Sequence, residues 1–139
     1  MNILFLCTGN SCRSQMAEGW ARQLGGERFS VQSAGIESHG QNPYAIAVMR
    51  EAGVDISGQQ STRLTKPMLD WADLVVTVCG HADEHCPVLP AGKRKEHWPL
   101  QDPAGATGGE TQVLDVYRSS CDDIRRRVTD LIARYTQER

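Results

Sequence analysis

Residues 3–14 read ILFLCTGNSCRS, and both the fold and the candidate site follow from this stretch. The first four residues are apolar and predict a buried strand that leads directly to Cys7. Beyond the loop, Met16, Trp20 and Leu24 recur every four residues and predict a helix. A strand, a tight loop and a helix start bring successive backbone N–H groups together, which forms a concave site for an anion.

The loop contains a candidate nucleophile and a cation. A free cysteine has a pKa near ~8.5, whereas a helix N-terminus and a neighbouring arginine lower it to roughly 3.5–7.5. We therefore expect Cys7 to be ionised, with the guanidinium of Arg13 offering planar donors to a tetrahedral oxyanion. The alternative is a small buried Cys7 and a surface Arg13 without a function. The predicted oxyanion-binding residues are Thr8, Gly9, Asn10, Ser11, Cys12, Arg13 and Ser14.

The length and composition of the chain predict one domain in a reducing compartment. At 139 residues and 40% hydrophobic content, the chain can bury a full core without cross-links. A formal net charge of −2 argues against a nucleic acid or an anionic membrane as partner. The apolar run before Cys7 is too short for a signal peptide or a membrane span. Five cysteines, an odd number, favour catalytic or redox use in the cytoplasm over a disulfide framework.

Strand-like and helix-like segments alternate along the chain, which predicts an α/β fold. The predicted strands are residues 3–6, 29–34, 74–78 and 96–98. The first predicted helix follows Ser14 and ends at Gly25-Gly26, and the others are residues 43–52, residues 66–72 and some 25 residues after 109. Residues 80–92 are expected to form an irregular loop. The alternation predicts a single-domain three-layer sandwich with a four-stranded parallel sheet in the order 2-1-3-4 and helices on both faces.

A second cysteine-containing stretch follows the third predicted strand. Parallel sheets bind ligands beyond the carboxyl ends of strands where the strand order reverses, so Cys7 and Cys79 are candidates for contact. Residues 79–86 read CGHADEHC, and their two cysteines can serve as a movable thiol pair. Cys79, His81, His85 and Cys86 are also zinc-ligand types, although their spacing differs from that of common structural zinc sites. Two loop cysteines and exposed histidines without a function are the remaining alternative.

Asp102 and Pro103 lie in the loop after the last predicted strand. Proline biases the preceding residue toward an extended conformation, so the carboxyl group of Asp102 can project over the same end of the sheet. At that position it would serve as a proton donor. An Asp-Pro pair is also a common turn.

The longer motifs resemble a known family. They are residues 6–18 (LCTGNSCRSQMAE), residues 33–35 (SAG), residues 73–77 (DLVVT), Cys79 with Cys86, and His97-Trp98 before Asp102-Pro103. The loop and the Asp-Pro pair resemble low-molecular-weight tyrosine phosphatases. The whole chain, residues 1–139, resembles a single domain of the thioredoxin-coupled arsenate reductases that are built on that fold.

The resemblance implies reduction of arsenate to arsenite by three thiols. Cys7 would attack arsenic held by the loop and Arg13, while Asp102 protonates the departing oxygen. Cys79 would then attack Cys7, so that arsenite leaves and a Cys7–Cys79 disulfide forms, and Cys86 would move the disulfide to Cys79–Cys86. Reduced thioredoxin is the implied electron donor. No tightly bound cofactor is expected, and the chain is expected to act as a monomer.

Two sequence features separate a reductase from a phosphatase. A tyrosine phosphatase uses water as its second nucleophile, so Cys79 and Cys86 would be idle. Such phosphatases also resemble one another in having aromatic residues after Asp-Pro, where this chain has Ala104-Gly105-Ala106. The sequence therefore favours arsenate, with weak side activity on phosphate esters. A phosphatase is the second hypothesis, and a metal-binding or anion-binding module is the third.

Some arsenate reductases of this group bind potassium beside the loop. The corresponding residues are Asn10, Glu18, Ser33 and an acidic position that aligns with Thr62. Threonine carries no charge, so the sequence lacks one of the charged ligands. Asn10, Glu18 and Ser33 are therefore either a potassium site or a hydrogen-bonded support beneath the loop.

Overall fold

A computed structural model describes residues 1–137 of the chain. Its sheet has four parallel strands in the order β2-β1-β3-β4, namely β1 (Asn2–Cys7), β2 (Ser30–Gly35), β3 (Leu74–Thr77) and β4 (Arg94–His97). The α-helices are α1 (Arg13–Gly25), α2 (Pro43–Glu51), α3 (Lys66–Trp71), α4 (Gly80–His85) and α5 (Glu110–Gln137). The predicted α/β class and strand order are confirmed. Residues 138 and 139 of the predicted domain lie outside the described residues.

The strand β1 forms the centre of the sheet because it is apolar on both faces. Ile3, Leu4, Phe5 and Leu6 are all fully buried, as is typical of a parallel strand covered by helices on both sides. β2 pairs with one edge of β1 and β3 pairs with the other. β2 lies on one side of β1, whereas β3 and β4 follow on the other side. Right-handed crossovers therefore place α1 on one face of the sheet and α3 and α4 on the opposite face.

The helix α5 completes the layer that contains α1. It packs against α1 and α2, and its buried residues recur at intervals of four and three, namely Tyr117, Cys121, Ile124, Val128 and Leu131. Val116, which the sequence pattern assigns to this face, is exposed instead. No helix within residues 1–137 is long and apolar enough to cross a membrane.

The structure differs from the predictions at residues 80–92 and at several element boundaries. Residues 80–92, predicted as an irregular loop, contain α4, because a helix of six residues is too short to show an apolar period. β4 begins at Arg94 rather than at residue 96, and its polar side chains are those of an edge strand. β3 ends at Thr77 rather than at residue 78.

Candidate active site

The loop between β1 and α1 turns its carbonyl groups outward. Four loop carbonyl oxygens accept hydrogen bonds of 2.8–3.0 Å from N–H groups of the segment 36–42, namely those of Cys7, Thr8, Gly9 and Ser11. Within residues 1–137, the N–H groups of residues 9–12 make no backbone hydrogen bond outside the helices and strands. These N–H groups therefore line a concave site that can accept a tetrahedral anion.

A buried network supports the loop from below. Asn10 has a φ of 47°, a left-handed conformation that asparagine tolerates. Its Nδ2 donates to Ser14 Oγ at 2.8 Å and to Ser33 Oγ at 2.9 Å, and its Oδ1 accepts from the N–H of Thr62 at 2.8 Å. Ser33 Oγ in turn donates to Glu18 Oε1 at 2.5 Å. The residues that correspond to the potassium site are thus brought together, but Thr62 contributes its backbone N–H rather than an oxygen.

Two further side chains complete this network. Arg22 Nε donates to Glu18 Oε2 at 2.8 Å, and Arg22 Nη2 donates to the carbonyl of Val31 at 2.8 Å. Gln15 is fully buried, and its Nε2 lies 3.3 Å from Asn10 Oδ1. Each side-chain oxygen of Asn10 and Glu18 therefore faces a protein donor, and the charge of Glu18 is paired with a guanidinium.

Arg13 is buried at the start of α1 and reaches the Asp102 loop. Its Nη1 donates to the carbonyl of Leu100 at 3.1 Å, and its Nη2 lies 3.7 Å from Asp102 Oδ2. Its Nε is buried and has no hydrogen-bond partner among the described residues. Because an unpartnered buried donor is costly, an oxyanion in the adjacent loop is the group best suited to accept from Nε.

Asp102 lies at the edge of the site. Its side chain is 54% exposed, so it can exchange a proton with solvent. Oδ1 accepts from the N–H of Ala104 at 3.0 Å and caps the short 3-10 turn Pro103–Gly105. This cap leaves Oδ2 directed toward Arg13.

The structure brings Cys7 and Cys79 close enough for their titrations to be linked. Cys7 is the last residue of β1, and Cys79 lies just beyond β3, so the strand order places the two thiols side by side. Thr8 Oγ1 is 3.2 Å from Cys79 Sγ, and the N–H of Ala82 donates to the same sulfur at 3.3 Å. Protein groups therefore form two hydrogen bonds with the sulfur of Cys79.

The pKa values of the two thiols move in opposite directions. The hydrogen bond to Cys79, followed by burial, raises the pKa of Cys7 against the lowering effects of Arg13 and the N–H of Thr8. The hydrogen bond from Cys7, with those from Thr8 and Ala82, lowers the pKa of Cys79 to about 5. The prediction of an ionised Cys7 considers only Arg13 and the loop, and the structure adds Cys79 as a second thiol that competes with Cys7 for the same negative charge.

Cys86 is not part of this contact. Cys79 and Cys86 are the N-cap and C-cap residues of α4, which separates them by roughly 10 Å at about 1.5 Å per residue. A disulfide requires Cα atoms about 4.4–6.8 Å apart. All five cysteines are free thiols, and burial raises the pKa of Cys86 and also raises that of Cys12 to about 12.

His81 is a neighbour of the site that the sequence patterns suggested only as a zinc ligand. Its Nδ1 lies 3.1 Å from Thr8 Oγ1, and its ring lies 4.1 Å from that of His85, centroid to centroid. In the part of the chain that the structure describes, no group of three or more His, Cys, Asp or Glu side chains is placed to hold a metal ion. The approach of His81 to Thr8 depends on a tertiary contact and has no local sequence signal.

The chain is similar to known proteins over nearly its whole length. The family described as low molecular weight phosphotyrosine protein phosphatase matches residues 2–139. An arsenate reductase of Halalkalibacterium halodurans is 51% identical over 126 residues, 91% of each chain. A solved arsenate reductase in the phosphate binding state has a TM-score of 0.80 and 39% identity, covering 96% of this chain and 97% of the other. An arsenate reductase in the oxidized state has a TM-score of 0.81 and 37% identity, with the same coverage.

The family match over residues 2–139 includes the loop, Cys79, Cys86 and the Asp102 turn. The chain therefore belongs to the low molecular weight phosphotyrosine protein phosphatase family, among relatives that are named arsenate reductase.

Proposed function

We propose that this chain reduces arsenate to arsenite through a relay of three thiols, with thioredoxin as the electron donor. The observation that carries the proposal is the position of a second thiol, Cys79, whose Sγ lies 3.2 Å from Thr8 Oγ1 in the loop that follows Cys7. Hydrolysis of a phosphate ester needs one thiol and a water molecule, so a second thiol against the nucleophile has no role in it. The relatives named arsenate reductase support the same assignment.

The first step forms a covalent bond between sulfur and arsenic. The loop N–H groups and Arg13 Nε hold the oxyanion. Cys7 passes its proton to Cys79 along their hydrogen bond, and its sulfur attacks arsenic. An arsenic–oxygen bond breaks, and Asp102 supplies the proton with which that oxygen leaves as water.

The second and third steps move electrons and the disulfide. The thiolate of Cys79 attacks Cys7 Sγ, so a sulfur–sulfur bond forms and the Cys7–arsenic bond breaks. The bonding pair stays on arsenic, which is reduced to arsenite while the two sulfurs are oxidised. Cys86 then attacks Cys79 and frees Cys7, which requires α4 to unwind because the helix holds the two cysteines too far apart.

Thioredoxin would reduce the final Cys79–Cys86 disulfide by the same exchange chemistry. A reducing cytoplasm belongs to this proposal because thioredoxin must stay reduced there. A monomer and the lack of a tightly bound cofactor also belong to it, because one chain supplies all three thiols and the electrons arrive from a protein.

Asn10, Glu18 and Ser33 do not fit a potassium ion. The oxygens of Asn10 and Glu18 already accept protein hydrogen bonds, and Arg22 neutralises Glu18. We infer that these side chains are a hydrogen-bonded support that holds Asn10 in its left-handed conformation. No step of the proposed reaction involves a metal ion.

The test of the proposal is arsenate-dependent NADPH consumption in the presence of thioredoxin and thioredoxin reductase. Cys86→Ser should abolish this turnover while leaving a Cys7–Cys79 disulfide and one arsenite per chain. Weak hydrolysis of an aryl phosphate is expected from both proteins, because phosphate and arsenate share shape and charge. Fast aryl phosphate hydrolysis without arsenate reduction would establish the phosphatase hypothesis instead.

A further inference from the structure

The hydroxyl group of Thr8 connects the thiol of Cys79 with the imidazole of His81. Thr8 Oγ1 lies 3.2 Å from Cys79 Sγ and 3.1 Å from His81 Nδ1, so both contacts are hydrogen bonds. A hydroxyl group has one proton and two lone pairs, so it can donate to one neighbour while it accepts from the other. Thr8 therefore joins the sulfur and the imidazole in a continuous hydrogen-bonded chain.

The proposed reaction requires the thiol of Cys79 to lose a proton. Cys79 receives the proton of Cys7 when Cys7 attacks arsenic, and Cys79 must lose it again before it can attack Cys7. In the covalent intermediate Cys7 has no S–H to donate, so Cys79 has lost the hydrogen bond that favours its thiolate most. The hydrogen bonds to Thr8 and to the N–H of Ala82 are those that remain.

We propose that His81 accepts the proton of Cys79 through the hydroxyl group of Thr8 and so generates the second nucleophile of the relay. This inference rests on the proposed arsenate reductase function. His81 acts through Thr8 and is therefore a positioning residue, whereas Cys79 is the residue that reacts.

Two proton arrangements share the same positions of the heavy atoms. Before the transfer, Cys79 S–H donates to Thr8 Oγ1, whose proton is donated to neutral His81 Nδ1. After it, protonated His81 Nδ1 donates to Thr8 Oγ1, which donates to the Cys79 thiolate. One S–H bond breaks and one N–H bond forms, and the proton leaves from His81 to solvent after the disulfide has formed.

Few other ionisable groups face this chain of hydrogen bonds. α4 packs against β1 and β3, which contain no Asp, Glu, Lys or Arg over Asn2–Cys7 and Leu74–Thr77. Beside these hydrogen bonds the structure places the thiols of Cys7 and Cys79 and the ring of His85, which packs on that of His81, while Asp83 of the same helix pairs with Lys95. Arg13 is the cation that acts on both sulfurs.

The test measures arsenite released in a single turnover, as a function of pH, with every variant made in the Cys86→Ser background. We expect His81→Gln to slow release about 100-fold at neutral pH, near the lower limit of what a positioned base contributes. The parent and the variant should differ in the pH dependence of this rate, because only the parent has a proton acceptor beside Thr8. Added imidazole should partly restore the rate of His81→Ala, whereas a merely structural role predicts no rescue.

His85→Gln is the matched control, since it changes the same residue type on the same helix. We expect it to keep the parent rate and pH profile. Equal rates for His81→Gln and the parent, or equal losses for His81→Gln and His85→Gln, would overturn the role of His81. If the parent releases no arsenite and forms no Cys7–Cys79 disulfide, the proposed function itself fails, which is a distinguishable result.

Discussion

Three hydrogen-bond donors converge on the sulfur of Cys79 in the substrate-free protein. They are the thiol of Cys7, the hydroxyl of Thr8 and the N–H of Ala82. Cys7 has instead the guanidinium charge of Arg13 and one backbone N–H to favour its ionised form. The two thiols therefore share one negative charge, and Cys7 must hold that charge to act as the first nucleophile of the proposed relay.

This arrangement predicts how the thiols titrate in cysteine variants. Cys79→Ala removes the main cause that raises the pKa of Cys7, so that pKa should fall. Cys7→Ala removes the main cause that lowers the pKa of Cys79, which should rise above about 5. In the unmodified protein the thiolate should persist as pH falls and disappear through about pH 5. The measurement is thiolate absorbance against pH, with Cys121→Ala as the control.

A titration in which neither single variant shifts the remaining thiol would contradict the assigned hydrogen bond. A shift of Cys7 upward in Cys79→Ala would show that Arg13 and the loop do not favour the thiolate.

The loop conformation also depends on the lack of a side chain at Gly35. A Cβ atom at this position would collide with the carbonyl oxygens of Glu37 and Thr8 and with the N–H nitrogen of Asn10. Since all three are backbone atoms, the loop must shift, and Gly35→Ala should cost about 1–3 kcal/mol of stability. It should also lower arsenate turnover at least about tenfold because the N–H groups lose their alignment. Urea unfolding and turnover measure both effects, and Gly58→Ala, which faces open space, should show neither.

At the scale of elements, the short helix α4 separates the thiols of Cys79 and Cys86. A helix of six residues is marginal by itself, so tertiary contacts must hold it. Asp83 provides such contacts, because its Oδ1 lies 2.8 Å from Lys95 Nζ and accepts from Thr77 Oγ1 at 3.1 Å. These contacts attach α4 to β3 and β4 while the thiols are reduced.

Weakening this attachment should help the final disulfide to form. Asp83→Asn removes the ion pair with Lys95, so transfer from Cys7–Cys79 to Cys79–Cys86 should be about two- to fivefold faster, a modest change because the pair is partly exposed. Quenched thiol trapping measures the transfer rate, and Asp122→Asn on α5 is the control. Hydrogen exchange at residues 80–85 should accelerate when the Cys79–Cys86 disulfide forms. Unchanged protection of α4 in the oxidised protein would contradict its unwinding.

The hydrogen bond between Glu18 of α1 and Ser33 of β2, together with the Glu18–Arg22 ion pair, predicts that potassium has no effect on this protein. Replacing potassium by sodium at constant ionic strength should leave the melting temperature and the turnover unchanged, because Arg22 already neutralises Glu18. Arg22→Gln should lower the melting temperature more than Arg126→Gln does. Glu18 is buried and would be left unpaired, whereas Asp123, the partner of Arg126, is 37% exposed. Activation by potassium in the unmodified protein would contradict the support role.

At the scale of the whole molecule, parallel strand order assembles the site. The anion loop, Cys79 and Asp102 follow β1, β3 and β4, respectively, so all lie beyond the same carboxyl edge of the sheet. The layer of α1, α2 and α5 stabilises the fold on one face, while α4 lies on the other. The core around α5 therefore lies across the sheet from α4, which carries Cys79 and Cys86 at its two ends.

This separation predicts that a core truncation in α5 affects stability alone. Ile124 is fully buried, so Ile124→Ala should lower the free energy of unfolding by about 2–5 kcal/mol. The thiol titration of the folded protein should not change. Urea unfolding and thiolate absorbance measure the two quantities, and Val116→Ala, at a position 43% exposed, should change neither. A shifted thiol titration in Ile124→Ala would show that the two faces are coupled.

Sequence reasoning succeeded where short windows carry the signal. The apolar run before Cys7 predicted the central strand, and the helix predicted from residue 43 begins where α2 begins, with the Asn42 side chain as its cap. It failed at α4, which is shorter than the window in which helical periodicity can be recognised. It also placed the start of β4 too late, because an edge strand need not be apolar.

The sequence by itself determined the strand, loop and helix around Cys7, the order of the strands and the residues able to perform thiol chemistry. Local backbone preferences and apolar periodicity are properties of neighbouring residues, so they can be read without a structure. Only the tertiary structure decided which groups surround each thiol and that Thr8 lies between Cys79 and His81. The pKa of a thiol depends on the donors that folding brings to it, and Thr8 and Cys79 are 71 positions apart in the chain.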